Sequence, residues 1–462
     1  MSDYQHIDTC RFTASSIAPL MKADCLKSGG TSIANVQIDS RQCTEGSLFF
    51  ALKGEKNDGF AYLSDVAKAG AAAVVVPKSR AQEASKLVSC PVLAVDDVLT
   101  ALHDLARRYM QRFPSIKTIG ITGSCGKSTT KEALSRITAV LGSTAKTPGN
   151  LNSEYGLPLS MFGLHAGTRY GVFEMGIDHV GEMDRMVGIL KPSIALLTNV
   201  GISHLEKMGS QKIIAEQKAR IFHTGIETGF VSSSCKHIDV IERVAGRHLV
   251  RYDSKDISAI DLGLDGWMIT YEGHSFHVKS VGRHLLEDVV GAISVGRYLG
   301  AKAGDIAEAL EGFEPMHGRS FVHRSDVTII DDSYNASLDS TNSILTYLSG
   351  LSWNGAKKVV LGPMKELGAL SNHAHRMVAR TVASSTFNQT YLYGAEMEEA
   401  SLELKKLGYR GLVSYTRDFE ELEGMVHKHM QGGDLFLLKA SRSVAMERLI
   451  PSLQRRSPGY AS

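Results

Sequence analysis

Residues 119–130 read Ile-Gly-Ile-Thr-Gly-Ser-Cys-Gly-Lys-Ser-Thr-Thr, and the rest of the chain is best interpreted from this stretch. The apolar run 116–121 predicts a short buried strand, and the pattern from Lys131 to Leu141 predicts a helix. A glycine-rich turn between a strand and a helix lets backbone N–H groups approach phosphate oxygens, and the helix N-terminus adds partial positive charge. The predicted phosphate loop comprises Gly123, Ser124, Cys125, Gly126, Lys127, Ser128 and Thr129.

Lys127 and Ser128 provide the expected chemistry of this loop. A lysine at this place neutralises the outer phosphates of a nucleotide, and the hydroxyl after it binds Mg²⁺. The usual G-x-x-x-x-G-K-S/T pattern is incomplete, because Ile121 stands where its first glycine should be. The flanking strand and helix still favour a phosphate site over an ordinary turn. Cys125 is either an inert small residue or a thiol whose pKa the helix N-terminus lowers.

Composition excludes several other classes of protein. Lys and Arg total 51 against 49 Asp and Glu, with no dense basic run, so we expect no nucleic-acid partner. The six cysteines are scattered without a C-x-x-C pair, which argues against disulfides and zinc and favours a reducing compartment. The polar segment Met1–Cys10 is unlike a signal peptide, and no apolar run could cross a membrane. A cytoplasmic protein without membrane insertion is therefore expected.

Strands alternate with helices along most of the 462 residues, which predicts an α/β protein with mainly parallel wound sheets. The length suggests about three domains. Phe113-Pro114 and the segment 312–318 are the predicted linkers, giving domains at 1–112, 113–316 and 317–462. The central domain is then a P-loop ATPase-like unit, and the third is Rossmann-like.

Polar residues follow several predicted strands, at the sheet edge where ligands bind in such folds. Glu174 ends the strand that begins at Tyr170, where it is either a Mg²⁺ ligand or a charge at a helix N-terminus. His204 lies just beyond the strand 193–200 and is either a structural histidine or a ligand. Asp332 ends a strand of the third domain.

Two further positions leave their alternatives open. Asp39, Ser40 and Arg41 follow a short strand and could hold a phosphate or uracil group, or form a solvated turn. Lys218 lies in a predicted helix, 212–222, where an ordinary surface lysine is the simpler interpretation. A buried lysine there would have a depressed pKa.

Taken together, these motifs resemble the Mur ligase family, the ATP-dependent amide-forming enzymes of peptidoglycan precursor synthesis. The resemblance covers nearly the whole chain. The matching segments are Asp39–Arg41, Gly46–Gly54, Asp58–Gly59, Thr122–Thr129, Gly149–Asn152, Glu174–Gly176, His204–Glu206, Lys218–Phe222, Gly318–Arg319, Asp331–Ala336 and Lys439–Arg442.

Within the family, the segment Leu361–Gly368, Leu-Gly-Pro-Met-Lys-Glu-Leu-Gly, is similar to that of the member that adds D-Ala-D-Ala to UDP-MurNAc-tripeptide. The D-N-P-R motif of the diaminopimelate-adding member is absent. The resemblance thus implies that ATP converts the tripeptide carboxylate to an acyl phosphate, which the dipeptide amine attacks. A monomer is expected. Ligation of a different amino acid, and an ATP-binding module that does not ligate, are the alternatives.

The resemblance also implies roles for individual residues. One Mg²⁺ would be held by Ser128 and Glu174, and a second by His204 and a carbamylated Lys218, with Lys127 neutralising phosphate. The nucleotide would further contact Asp288, Arg319, Asp332 and Asn335. The UDP-linked substrate would contact Asp39, Ser40, Arg41, Asn150 and Asn152.

The chain departs from the family pattern at five places. Leu285 and Asp288 stand where asparagines usually lie beside adenine, and Pro363 replaces an aspartate. Ser337 and Leu338 replace an Asn-Pro pair. These changes bear on the adenine contacts and part of the dipeptide pocket, and they leave the phosphate chemistry intact.

Overall fold

The structure is a computed structural model that describes residues 12–27, 29–54, 57–246 and 249–454. The segment Met1–Cys10 lies outside the described residues. The described strands form one five-stranded sheet, two six-stranded sheets and one three-stranded sheet. Most neighbouring strands in the three larger sheets are parallel, with helices between them, so the predicted α/β class is confirmed.

The first sheet has four short strands that are mostly buried and an exposed edge strand, Asp24–Cys25. The elements are α1 (Ala14–Ile17), β1 (Asp24–Cys25), β2 (Asn35–Gln37), β3 (Ser47–Phe50), α2 (Leu63–Lys68), β4 (Ala73–Pro77), α3 (Ala81–Leu87), β5 (Val92–Val95) and α4 (Val98–Met110). The strand order is β1-β5-β4-β3-β2, and only β1 runs antiparallel to its neighbour. Continuous runs such as Ala-Val-Val-Val suit strands that are covered on both faces.

The central region begins with the strand that precedes the phosphate loop. Its elements are β6 (Lys117–Thr122), α5 (Lys127–Leu141), β7 (Thr144–Lys146), α6 (Gly156–Met161), β8 (Tyr170–Glu174), α7 (Glu182–Leu190), β9 (Ile194–Leu197), α8 (Leu205–Met208), α9 (Gln211–Ala219), β10 (Thr228–Ser232), α10 (Ile238–Ala245), β11 (Val250–Tyr252), β12 (Ser258–Asp261), β13 (Trp267–Tyr271), β14 (His274–Val278), α11 (Arg283–Tyr298) and α12 (Ala303–Leu310). The main sheet has the order β11-β10-β9-β6-β8-β7 and is parallel throughout.

Strand β6 lies between β8 and β9 in this sheet, which explains how the site assembles. The carboxyl ends of parallel neighbours lie at one edge, so the phosphate loop emerges between the ends of β8 and β9. The antiparallel sheet β12-β13-β14 was not predicted from the sequence. Its strands are short and partly exposed, so they lack the buried apolar runs that revealed the parallel strands.

The last region carries the second six-stranded sheet. Its elements are β15 (Phe321–Arg324), β16 (Thr328–Asp332), α13 (Leu338–Gly350), β17 (Lys357–Leu361), α14 (Ser371–Ala383), β18 (Gln389–Tyr393), α15 (Glu398–Lys406), β19 (Leu412–Thr416), α16 (Phe419–His429), β20 (Leu435–Lys439) and α17 (Ile450–Gln454). The order is β15-β16-β20-β17-β18-β19, with only β15 antiparallel. The edge strands β15 and β19 are half-exposed and were not predicted.

The lengths of the helices and the state of the cysteines complete the description of the fold. Within the described ranges, the helices are all too short or too polar to cross a bilayer. Cys25, Cys43, Cys90, Cys125 and Cys235, the cysteines of those ranges, are free thiols.

We expect the buried ion pair of the last sheet to matter for stability. Lys358 Nζ lies 2.6 Å from Asp434 Oδ2, and both side chains are almost fully buried. Lys358→Ala would leave a buried carboxylate uncompensated and should lower the free energy of unfolding by about 3–5 kcal/mol. Arg417→Ala breaks an exposed pair with Glu398 and should leave the free energy of unfolding nearly unchanged. Chemical denaturation of both variants tests this, and equal losses would contradict it.

Candidate active site

A cavity of about 400 Å³ lies between the phosphate loop and the last region of the chain. Most of the residues predicted to bind nucleotide line this cavity, together with other residues of the central and last regions of the chain. The predicted residues in its wall are Ser124, Cys125, Gly126, Lys127, Thr129, Asn152, His204, Arg319, Asp332 and Asn335. The structure thus brings together residues that are up to about two hundred positions apart in the sequence.

The phosphate loop needs glycine because neighbouring groups approach its backbone closely. Gly126 has a φ of +81° just before α5, and a Cβ there would lie 2.0 Å from Asp288 Oδ1. A Cβ at Gly123 would lie 1.9 Å from Thr198 Oγ1. The Cys125 N–H donates to Asn199 Oδ1 at 3.0 Å, so residues after β9 fix the shape of the loop.

Lys127 and Lys218 converge on one acceptor, the carbonyl oxygen of Gly123. Their Nζ atoms donate to it at 2.8 Å and 3.1 Å. Lys218 is only 2% exposed, so the interpretation of this residue as a surface lysine is wrong. Burial, and then the charge of Lys127, lower the pKa of Lys218 to about 7. Burial also lowers the pKa of Lys127. A substantial share of Lys218 is therefore a neutral, nucleophilic amine at physiological pH.

Glu174 ends β8 and is fully buried, with one oxygen available to a ligand. Its Oε2 accepts from Asn152 Nδ2 at 3.1 Å, and its Oε1 has no hydrogen-bond donor. Lys131 Nζ lies 3.3 Å from Oε1 as an ion pair and donates to the carbonyl of Thr147 at 2.9 Å. No helix begins at Glu174, so the alternative of a helix N-terminal charge is wrong. Oε1 thus has the charge of Lys131 nearby and no directed hydrogen bond, and such a carboxylate oxygen fits a Mg²⁺ ligand.

Lys131 was missed as a site residue by sequence reasoning. It follows Lys127 by one helical turn, and this spacing is the only signal that the two share a face of α5. Nothing in the sequence distinguishes this fully buried lysine from the solvated ones.

His204 lies at the start of α8 with a left-handed backbone, φ 60°. Its Nδ1 lies 2.5 Å from Oε2 of Glu366, which belongs to the last region of the chain. This hydrogen bond is the main cause of a lowered pKa of Glu366. Because Nδ1 is engaged, Nε2 is the nitrogen that His204 can offer to a cation.

Polar residues of the last region complete the cavity wall, among them Arg319, Asp332, Asn335 and Lys439. Lys439 Nζ donates to Asp332 Oδ2 at 2.6 Å and to the carbonyl of Asn335 at 3.0 Å. The guanidinium of Arg319 lies 4.2 Å above the ring of Tyr334, and its buried Nε has no acceptor. Stacking holds the Arg319 guanidinium in place while its donors remain available to an anion.

Asp288 lines a second cavity of about 250 Å³ on the other side of the phosphate loop. Its Oδ2 is buried without a partner, and burial raises its pKa to about 8. At neutral pH this side chain is mostly a carboxylic acid, which offers a donor and an acceptor as an amide would. The replacement of the family's asparagine therefore preserves its hydrogen-bonding capacity.

Several predicted residues lie outside these cavities. Ser128 is buried between Lys127 and Thr129 but is not among the described residues that line either cavity. Asn150 is exposed. Asp39 accepts two bonds from the Arg41 side chain, at 2.9 Å and 2.7 Å, and that side chain is 87% exposed. Ser40 begins the short helical turn that Asp39 caps. The roles of these residues stay predictions.

The first sheet has its own cavity, also about 400 Å³, at the carboxyl ends of β3, β4 and β5. Lys53, Asp58, Arg80 and Asp96 contribute its polar groups. Tyr155 lines this cavity and the one at the phosphate loop, so the two are neighbours. Arg80 and Tyr155 were missed because neither belongs to a recognisable motif.

The raised pKa of Asp288 predicts how stability depends on pH. Asp288 binds its proton more tightly in the folded than in the unfolded protein, so its contribution is complete below about pH 4 and is lost as the pH rises through 8. We expect the free energy of unfolding of wild type, relative to Asp288→Asn, to fall by roughly 1.4 kcal/mol per pH unit within this window. Denaturant titrations from pH 5 to 8.5 provide the measurement, and parallel profiles would contradict the assignment.

Family models match three consecutive parts of the chain. Residues 32–110 match the Mur ligase family catalytic domain, residues 121–296 the Mur ligase middle domain, and residues 318–442 the Mur ligase glutamate ligase domain. Each matched part contains most of the strands of one of the three larger sheets.

Relatives align with almost the full chain. The UDP-N-acetylmuramoyl-tripeptide–D-alanyl-D-alanine ligase of Treponema pallidum is 34% identical, over 93% of this chain and 96% of that protein. The ligase of the same name from Bacillus subtilis is 31% identical, over 92% and 93%. Crystal structure I of MurF from Acinetobacter baumannii has a TM-score of 0.85 at 26% identity, covering 97% and 100% of the two chains. The ADP complex of MurF ligase from Thermotoga maritima has a TM-score of 0.75 at 28% identity, covering 91% and 96%. With three matched domains and this degree of identity along its length, the chain belongs to the Mur ligase family.

Proposed function

We infer that the protein is an ATP-dependent amide ligase that joins D-Ala-D-Ala to UDP-MurNAc-tripeptide and yields ADP, phosphate and UDP-MurNAc-pentapeptide. The relatives that align with nearly the whole chain are ligases named for these substrates. The observation that carries the inference is the cavity in which Lys127, His204 and Arg319 meet, although the regions of two different sheets supply them. Glu174 lies behind its wall, where it accepts a hydrogen bond from the wall residue Asn152.

The reaction has to make a poor acyl donor reactive. A carboxylate would have to expel oxide, so ATP first transfers its γ-phosphoryl group to the tripeptide carboxylate, giving an acyl phosphate and ADP. The amine of D-Ala-D-Ala then attacks the acyl carbon, phosphate leaves and the amine loses a proton. Both steps concentrate negative charge between the phosphoryl and carboxyl oxygens, so preorganised positive groups should supply most of the rate enhancement.

Lys127 and Arg319 are the groups of this chain best suited to that charge. Lys127 is fixed at the start of α5, where the helix N-terminus also favours anions. Arg319 reaches the same cavity from the last region of the chain. Its Nε has no hydrogen-bond acceptor, which supports a role as a hydrogen-bond donor to a bound anion. A nucleotide would therefore be bound from both sides.

The cation ligands form a separate part of the proposal. Glu174, with the hydroxyl of Ser128, would hold one Mg²⁺, and His204 with Lys218 would hold another. The burial and the lowered pKa of Lys218 support its reaction as a neutral amine with CO₂. The resulting carbamate would offer oxygen atoms as ligands for Mg²⁺. When bound, Mg²⁺ would reduce the repulsion between the carboxylate and the phosphoryl oxygens.

The two neighbouring cavities suggest the path of the UDP-linked substrate. The peptide carboxylate would reach Asn152 and Lys127, while the UDP end would extend past Tyr155 into the cavity of the first sheet. Asp39, Ser40 and Arg41 remain proposed uridine contacts, and Asn150 and Asn152 proposed peptide contacts.

The domain limits 1–112, 113–316 and 317–462 are also part of the proposal. We further propose that the protein is a monomer and that it is cytoplasmic, because ATP and UDP-linked precursors are available in the cytoplasm. Docking of the third domain on the central one would exclude water that could hydrolyse the acyl phosphate.

Phosphate release tests the function directly. With ATP, Mg²⁺ and UDP-MurNAc-tripeptide, we expect phosphate to accumulate only when D-Ala-D-Ala is added, and pentapeptide to form in equal amount. Lys127→Ala should lower kcat by at least about 100-fold, because the variant lacks a positive charge that stabilises the transition state. Product formation with diaminopimelate or lysine instead of the dipeptide would indicate another ligase, and ATP binding without any ligation would contradict the proposal.

Lys218→Ala tests the carbamate. We expect this variant to be inactive and to recover part of its activity when a short-chain carboxylic acid such as acetate occupies the space left by the side chain. Lys218→Arg, which stays cationic and cannot form a carbamate, is the control and should be inactive with or without acetate. Full activity of Lys218→Ala without an additive would exclude the role.

A further inference from the structure

The contact between His204 and Glu366 joins two regions of the protein that are far apart in sequence. His204 precedes α8 in the central region, and Glu366 follows β17 in the third domain, 162 residues later. His204 lies in the wall of the phosphate-loop cavity. Glu366 therefore reaches the edge of the proposed site only when the third domain is docked on the central domain.

Both residues of this contact have left-handed backbones. The φ angle is 60° at His204 and 64° at Glu366. This conformation costs free energy for any residue other than glycine, and such residues concentrate at functional sites. A glycine would satisfy the backbone at position 366 better, so the presence of glutamate there points to a requirement for its side chain.

Neighbouring contacts hold His204 and Glu366 in position relative to each other. The Glu206 N–H donates to the carbonyl of Glu366 at 3.4 Å. Gly368 packs so closely on Glu206 that a Cβ there would lie 3.1 Å from its Cγ. Lys207 Nζ donates to Asp178 Oδ2 at 2.5 Å, which ties α8 to the loop after β8. The first turn of α8 is thus held by both domains.

The chemistry of the pair determines which ring nitrogen is free. A carboxylate can only accept, so Nδ1 of His204 must carry the proton in this hydrogen bond. In the neutral imidazole, Nε2 then keeps its lone pair for a cation. We propose that Glu366 is a positioning residue for the cation-binding histidine, so that docking of the third domain completes the cation site at His204.

This inference rests on the proposed function for the presence of a cation at His204, and it adds a link between that cation and domain docking. Because the link is thermodynamic, a cation at His204 also stabilises the docked arrangement. The cation site at His204 is therefore complete only when the third domain is docked and its residues form their part of the nucleotide cavity wall.

Glu366→Gly offers the sharpest test, because glycine suits the left-handed backbone while the carboxylate is removed. We expect it to fold with wild-type thermal stability or better. In titrations of the full-length protein with Mn²⁺ and a non-hydrolysable ATP analogue, followed by EPR, its weaker Mn²⁺ site should lose affinity by about 10- to 100-fold. Pulsed EPR should detect a histidine-nitrogen coupling to Mn²⁺ in wild type, and this coupling should be absent in Glu366→Gly.

Two variants serve as controls. Glu366→Gln keeps an oxygen that can accept from Nδ1 and should stay within about 3-fold of wild-type affinity, since the hydrogen bond that positions the ring remains. Asp265→Asn weakens another contact between the same domains, the exposed pair with Arg324 at 2.7 Å, and should leave both readouts unchanged.

Wild-type Mn²⁺ affinity and nitrogen coupling in Glu366→Gly would overturn the inference. A wild-type protein without nitrogen coupling would do the same, as would an equal loss in Asp265→Asn. Failure of the proposed function has a different signature, namely no phosphate release with the ligase substrates while the Mn²⁺ results follow the expected pattern.

Discussion

The structure depends on one electrostatic constraint, the convergence of Lys127 and Lys218 on the carbonyl oxygen of Gly123. Burial lowers the pKa of both amines, and the charge of Lys127 lowers the pKa of Lys218 further. An anion in the cavity would compensate the buried charge of Lys127, and the proposed conversion of Lys218 to a carbamate would remove the positive charge of the second amine. The same arrangement therefore favours both a nucleotide phosphate and the chemistry needed for a cation ligand.

The architecture explains why this constraint can be met in a stable protein. Strand β6 has β8 and β9 as neighbours, so their carboxyl ends surround the loop with residues that fix it, including Thr198 and Asn199. The last sheet then supplies Arg319 and Asp332 from its own strand ends. A site divided between two domains can bind the nucleotide firmly and still open for substrates, which an amide ligase with a water-sensitive intermediate requires.

The departures from the family pattern are accommodated locally. Ser337 caps α13 by accepting from the N–H of Ser340 at 3.3 Å, and its hydroxyl lies 3.5 Å from Cys125 Sγ. The carbonyl of Pro363 accepts from the Ser441 N–H at 3.1 Å, which joins the segment after β17 to the segment after β20. Asp288, kept protonated by burial, offers the same kinds of hydrogen bond as an asparagine. Two of the changed positions, Leu285 and Ser337, lie in the wall of the phosphate-loop cavity, where an apolar side chain and a hydroxyl stand in place of amides.

The sequence by itself determined the three α/β units, the phosphate loop and the polar residues at strand ends, such as Glu174, His204 and Asp332, because these follow from local periodicity and short motifs. Only the tertiary structure decided that Lys131 and Lys218 are buried, that Tyr155 lies between two cavities, and that Glu366 contacts His204. The physical reason is that burial and long-range juxtaposition depend on how separate elements pack. A lysine on a helix has the same sequence signature whether it faces solvent or the core.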